Sequence, residues 1–371
     1  MIRIKTKRFI IPILLLVLMM VSLLGGCRKA DAPSDDAPSN NEIVAEKLNT
    51  PWAMAIRDDG SIYFTEREGV LRVIRNGKLQ SEPLLTLEPP FISQGEGGLM
   101  GIALDPDFSE NHYIYVKYTY VEDSNIYNKV VRLIENNNKA TVDKVIIDKI
   151  PGGQIHNGGR IKVGPDNKLY IATGDAGNPQ LAQDKTSLAG KIIRIELDGS
   201  IPSDNPFEGS PVYSLGHRNP QGLTWSPDGL LYASEHGQSA HDEINLIKAG
   251  SNYGWPIVQG DETSTDILSE SPLIHSGETT WAPSGLTFIT EGPWKGKLLV
   301  TNLRESQLLV VSLSEDGTSV TELESLLEDT YGRIREVVQG NDGTIYISTS
   351  NRDGRGNPSP EDDRILRIVP E

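Results

Sequence analysis

The sequence predicts an all-β chain folded as a six-bladed β-propeller of four-stranded antiparallel blades. Three observations lead there. Helical periodicity is nearly absent, and short β-rich runs bounded by Gly, Pro, Asn and Asp recur along the 371 residues. One unit also repeats six times, at spacings of about 45 to 70 residues, which is the interval expected of propeller blades. Two packed β-sandwiches would account for the strands but not for the sixfold unit.

The unit is an apolar strand, a turn of Asp-Gly type, and a strand reading apolar-Tyr-apolar that ends in a small polar residue. The first copy spans 55–66, around Asp58-Asp59-Gly60 and Ile62-Tyr63-Phe64. Further copies span 102–116, 161–175, 223–235 and 337–350, and 286–304 is a degenerate fifth in chain order. The turns suit tight hairpins because Gly takes positive φ without a steric penalty. Asp58, Asp107, Asp166, Asp228 and Asp342 are therefore expected to be structural. A third strand with a basic residue follows most copies, as in Val70-Leu71-Arg72-Val73-Ile74 and Arg364-Ile365-Leu366-Arg367-Ile368. The segment Glu42 to Leu48 is expected to supply the outer strand that closes the ring against the C-terminal blade.

The N-terminus carries Arg3, Lys5, Lys7 and Arg8, then an apolar run from Ile10 to Leu24, then Gly25-Gly26-Cys27. That order reads as a lipoprotein export signal over 1–26, cleaved so that Cys27 is acylated. An uncleaved transmembrane anchor is the alternative, but the run is short for a span and the chain's one cysteine stands at the cleavage position. Residues 27–41, rich in Asp, Pro, Ser and Ala, read as the lipidated cysteine and a flexible tether, leaving 42–371 as the propeller domain. Membrane contact is expected only through the lipid, placing the protein on an exported, cell-surface or periplasm-facing membrane. With 51 acidic against 35 basic residues, the net charge of −16 disfavours nucleic acid as a partner.

In a propeller, the loops leading into the innermost strands and those leaving the second strands share one face around the central channel. The unusual residues fall in these two classes. Leading into inner strands are segments 94–98, 152–160, 216–222, 280–285 and 331–335; leaving second strands are Glu66, Asp175, Glu235-His236-Gly237, Arg304 and Asn351-Arg352-Asp353. One channel mouth should thus collect arginines, carboxylates and histidines, with glycines permitting close approach to a flat ligand. A loop histidine is more often a hydrogen-bonded turn residue than a base. His156 stands apart because Asp175 leaves the second strand of the same blade, and a carboxylate partner suits a general base. Arg333 and Arg335 form a clamp for a carboxylate ligand if their segment is extended. There is no Gly-x-Ser-x-Gly elbow, phosphate loop or zinc pattern, and Met100 spoils the dinucleotide fingerprint begun at Gly95.

Gly-Glu-Gly-Gly-Leu-Met-Gly-Ile-Ala (95–103), Ile-His-Asn-Gly-Gly-Arg (155–160), Gly-His-Arg-Asn-Pro-Gln-Gly (216–222), Ser-Glu-His-Gly (234–237), Asn-Tyr-Gly-Trp-Pro (252–256) and Gly-Arg-Ile-Arg (332–335) occur in this order. The ordered set resembles the PQQ-dependent soluble glucose and aldose sugar dehydrogenases, from about residue 42 onward. The resemblance implies PQQ in the channel mouth, a sugar as substrate and an external electron acceptor. It implies His156 as the base for the C1 hydroxyl and Asp175 as its partner. Arg218 and Asn219 then contact the quinone end, Arg333 and Arg335 bind PQQ carboxylates, and Thr280 is a further cofactor contact. Gly237 and Gln238 supply backbone carbonyls to Ca²⁺. Three positions depart from the glucose enzymes: Glu96 and His236 stand where those carry Gln, and Arg304 where they carry Lys. Glu96 and Arg304 are kept as cofactor-contact positions. A non-catalytic, lipid-tethered binding propeller remains the alternative from another class, and a calcium-dependent lactonase would leave the channel arginines without a role.

Overall fold

The computed structural model describes residues Asn41–Val369. The export signal, Cys27 and the tether up to residue 40 lie outside the described residues. Within them the chain forms six antiparallel sheets arranged as the blades of a propeller. The inner strands are Pro51–Ile56, Leu99–Leu104, Ile161–Val163, Pro220–Trp225, Pro283–Phe288 and Ile334–Gln339. Each is followed outward by a second and a third strand, for example Leu169–Thr173 and Lys191–Ile195 in blade three. In blade one the outermost position is shared by Lys78–Leu79 and Leu85–Thr86, which both pair with Val70–Arg75. Helix is confined to the single turns Phe108–Asn111 and Pro179–Ala182. Among the described residues no helix is long and apolar enough to cross a membrane.

The alternating strand pattern explains where the core sits. Each blade shows one apolar face to the blade before it and one to the blade after, so the second strands Ile62–Glu66, Leu169–Thr173 and Leu231–Glu235 are buried along their whole length. The apolar residues gather into six clusters, one at each blade interface. Trp52, Tyr63 and Leu71 of blade one meet Met100, Ile102 and Val116 of blade two in the first of them.

The ring closes as the sequence led us to expect. Strand Glu42–Ala45 pairs antiparallel with Ile365–Ile368, Glu42 lying opposite Arg367 and Ala45 opposite Ile365, and completes blade six. Ala45, Leu48 and Ile365 then pack with Phe64 and Ile62 of blade one.

The turn aspartates differ in what they brace. Asp166 and Asp342 do brace their hairpins, accepting the N–H groups of Lys168 and Thr344. In blade one that role belongs to Asp59, which accepts from Ser61 at 2.9 Å, while Asp58 accepts from the Asn341 amide of blade six. In blade two it is Asp105 that accepts the Asp107 N–H and the Tyr115 hydroxyl. In blade four Ser226 Oγ takes the Leu230 N–H in place of Asp228. A side-chain oxygen must sit two residues before the N–H it satisfies, or nearby, so the position in the turn decides and not the residue type alone.

Candidate functional site

The loops leading into inner strands and leaving second strands converge on one cavity of about 990 Å³. Of the residues singled out in the sequence, Glu96, His156, Arg218, Gly237, Gln238, Thr280, Arg304 and Arg333 line it. Asn219 and Arg335 line a smaller adjoining space that shares Glu96, His236, Leu303, Arg333 and Arg355 with the first. Asp175 lines neither; it is fully buried behind His156.

His156 sits at the turn into blade three with φ 55°, a left-handed conformation that a non-glycine residue holds only when its surroundings enforce it. Three contacts do so. Its N–H donates to Glu96 Oε2 at 2.8 Å, its carbonyl accepts from Ala176 N–H, and its Nδ1 lies 2.7 Å from Asp175 Oδ1. Gly174 lets that carbonyl come close: a Cβ there would lie 2.1 Å from His156 O. Asp175 also accepts the Gly177 N–H and, at 2.8 Å, the indole N–H of Trp255 from the next blade. Burial alone would raise the Asp175 pKa, but His156, Gly177 and Trp255 together hold it below the usual carboxylate range. As a carboxylate it can only accept, so the proton between them resides on His156 Nδ1 and Nε2 is left with a lone pair.

A second histidine shows the alternative outcome. His217 Nδ1 lies 2.8 Å from Glu235 Oε2, but its Nε2 meets Ser214 Oγ at 2.8 Å and its ring stacks on Tyr253. It is fully buried, so the same histidine–carboxylate pair serves only to fasten a loop there.

The cations are arranged with their charges partly spent. Arg333 donates from Nε and Nη2 to Asp353 Oδ2 at 2.9 and 2.8 Å and from Nη1 to Leu303 O. Arg335 faces the same carboxylate oxygen at 3.7 Å, so the two guanidiniums converge as expected, onto an internal acid the sequence did not single out as their partner. Arg335 is buried, and burial together with Arg333, Arg67 and Arg160 pushes its pKa down to about 9 against the pull of Asp353. Arg218 is half-buried, lies over Trp255 and donates to His236 O. Arg304 is exposed and, among the described residues, its guanidinium has no partner. Burial pushes the His236 imidazole down to about 4, leaving it neutral. Arg218 Nε, Arg335 Nε and His236 Nε2 are buried without a hydrogen-bond partner, which marks this region as built for a polar ligand.

The candidate metal loop is braced by Asp242, whose oxygens accept the N–H groups of Gly237 and Ala282, both at 2.8 Å. Thr280 Oγ1 donates to Ser239 O and pins the same loop. Among the described residues no cluster of three His, Cys, Asp or Glu side chains could hold a metal. A cation at this loop would draw on backbone carbonyls, hard oxygen donors of the kind that fit Ca²⁺.

Some of the glycines serve close packing of the chain on itself. A Cβ on Gly95 would lie 2.1 Å from Gln154 O, on Gly98 2.3 Å from Arg67 O, and on Gly159 2.6 Å from Trp52. Gly237, Gly332 and Gly356 line the cavity itself. Arg355 was not singled out in the sequence, and Trp255 and Asp353 were named there without their partners: Trp255 and Arg355 act on residues of other blades, whereas Asp353 and Arg333 flank strands of one blade.

Comparison with known proteins gives a consistent picture. The family model "Glucose / Sorbosone dehydrogenase" matches residues 48–366. An aldose sugar dehydrogenase of Escherichia coli is 33% identical over 86% of this chain and 92% of its own length. The quinoprotein glucose dehydrogenase B of Acinetobacter calcoaceticus is 34% identical over 73% of this chain and 66% of its own. The PQQ-bound aldose sugar dehydrogenase of Streptomyces coelicolor superposes with a TM-score of 0.79 at 37% identity, covering 88% of this chain and 95% of that one.

Proposed function

The chain belongs to the glucose/sorbosone dehydrogenase family, and from that premise we propose that it oxidises the C1 hydroxyl of aldose sugars to lactones, using PQQ and passing electrons to an external acceptor. The observation that carries the reading is the His156–Asp175 pair opening onto a cavity lined by arginines. The partnerless nitrogens of Arg218, Arg335 and His236 fit a planar, multiply acidic quinone, which brings acceptor oxygens to all three. When bound, PQQ supplies a two-electron acceptor for the C1 hydride and Ca²⁺ a Lewis acid beside it.

The chain's own residues supply the rest. His156 Nε2 takes the C1 hydroxyl proton, and the buried Asp175 carboxylate stabilises the imidazolium that results. Trp255 and Gly177 keep Asp175 from rotating away. Arg218, Arg333 and Arg335 hold acidic groups, while the carbonyls of Gly237 and Gln238 hold the cation. The test is a PQQ titration of the detergent-solubilised chain with and without Ca²⁺, with dye reduction followed across a panel of aldoses. Calcium-dependent binding with sugar-dependent reduction is expected. No binding at micromolar PQQ would overturn the reading and leave a binding propeller.

Export and acylation at Cys27 belong to the same proposal, with the lipid holding the propeller at the outer side of a membrane. Cys27→Ala should move the protein from the membrane pellet to the soluble fraction. Retention of that variant in the pellet would point to the uncleaved apolar run as the anchor.

A further inference from the structure

Glu96 and Arg355 meet across the mouth of the cavity. One lies in the loop leading into blade two, the other in the loop after the second strand of blade six. Arg355 Nη2 is 2.9 Å from Glu96 Oε1, and Glu96 Oε2 accepts the His156 N–H at 2.8 Å. A single carboxylate therefore ties the left-handed backbone of the base to a cation on a distant blade.

Both ends of this link are fixed. The Glu96 N–H donates to Gln154 O, and the Arg355 N–H donates to Asp353 Oδ1, both at 2.9 Å. The next residue, Gly356, packs so tightly that a Cβ there would lie 2.6 Å from Asn351 O and 2.9 Å from Arg333 Cδ. Burial works against ionisation of Glu96, but the His156 N–H and Arg355 hold its carboxyl below the usual range.

The Arg355 side chain is 60% exposed, and such an ion pair ordinarily contributes little to stability. Its weight here falls on ligand charge. Glu96, 25% exposed, presents an anion to a cavity whose ligand is itself an anion. Without Arg355 that charge keeps the His156 N–H and the more distant Arg218 but no ion-pair partner in contact, and it would repel the ligand. We propose that Arg355 is a positioning residue that neutralises Glu96, so that Glu96 can hold the His156 backbone without repelling an anionic quinone. This rests on the cavity being a quinone site.

The test compares the native full chain with Arg355→Ala, Arg355→Lys, Glu96→Gln and the double variant Glu96→Gln/Arg355→Ala. PQQ affinity is read by titration in Ca²⁺, and hydrogen exchange of the His156 amide is read without PQQ. Arg355→Ala should weaken PQQ binding about tenfold, by loss of a partly screened charge pair. Arg355→Lys should recover part of that loss, and adding Glu96→Gln to Arg355→Ala should remove it. The His156 amide should exchange faster in Arg355→Ala. A loss that persists with Gln at 96 would overturn the proposal, because a damaged loop stays damaged whatever stands there. If the native chain binds no PQQ, the quinone reading fails instead, and the exchange measurement decides the latch alone: an unchanged His156 amide in Arg355→Ala overturns it.

Discussion

Replacing His156 with alanine is expected to lower sugar oxidation by about 10²- to 10⁴-fold, the usual contribution of a positioned base, while PQQ still binds. The expectation follows from where the side chain stands. Its Nδ1 is committed to Asp175 and its Nε2 alone faces the cavity, whereas the cofactor-holding groups are arginines and carbonyls on other loops. Asp175→Asn should give a loss of comparable size. An amide can donate to Nδ1, which would fix the wrong tautomer and turn the Nε2 lone pair into a donor. Because the Asp175 pKa is held low, its pairing stabilises the fold at all pH values above the ordinary carboxylate range. That contribution disappears as pH falls through the depressed value. The native chain should therefore lose an increment of stability on acidification that Asp175→Asn does not lose, measurable as thermal midpoints from pH 6 downward. Sugar turnover surviving intact in His156→Ala would remove the base from its role.

The second large effect is expected at Arg335. Arg335→Met should weaken PQQ by roughly 2–4 kcal/mol, the cost of removing one partner from a buried charge-assisted contact. The empty protein should melt no lower than the native one. The guanidinium is buried, its Nε has no partner, and Asp353 is already held by Arg333. Burial disfavours the Arg335 charge, so the empty fold bears a desolvation cost there that Arg335→Met removes. Unchanged PQQ affinity in this variant would show that the residue serves the fold alone.

Much of this was legible in the residues. The repeated hairpin pointed to six blades because every copy but the degenerate one at 286–304 carries its own turn and its own Tyr-containing strand, information contained within a dozen or so residues. The strand Glu42–Ala45 was legible as the closing strand because the last copy lacked a fourth strand of its own. The pair His156 and Asp175 was legible for the same reason of locality: both flank strands of one blade. What could not be read depends on which blades face each other across the channel. Trp255 on Asp175 and Arg355 on Glu96 join segments far apart in sequence, and no spacing rule links them, whereas Asp353 under Arg333 flanks strands of one blade as Asp175 and His156 do. A Gly-rich loop announces close approach but not what approaches, and at Gly95 and Gly159 it is Gln154 and Trp52.

The pairing of Glu42–Ala45 with Ile365–Ile368 also governs when the molecule can finish folding. Its two partners are the first and last strands among the described residues, so the loop they close contains nearly all the others. Such a contact gains nothing until the intervening blades are in place, and its entropic cost makes it a late event. A chain emerging N-terminus first must keep its opening strand unpaired until the final one arrives. During that interval the edges of blades one and six are both available to other molecules, and this interval is when the protein is most open to aggregation or proteolysis.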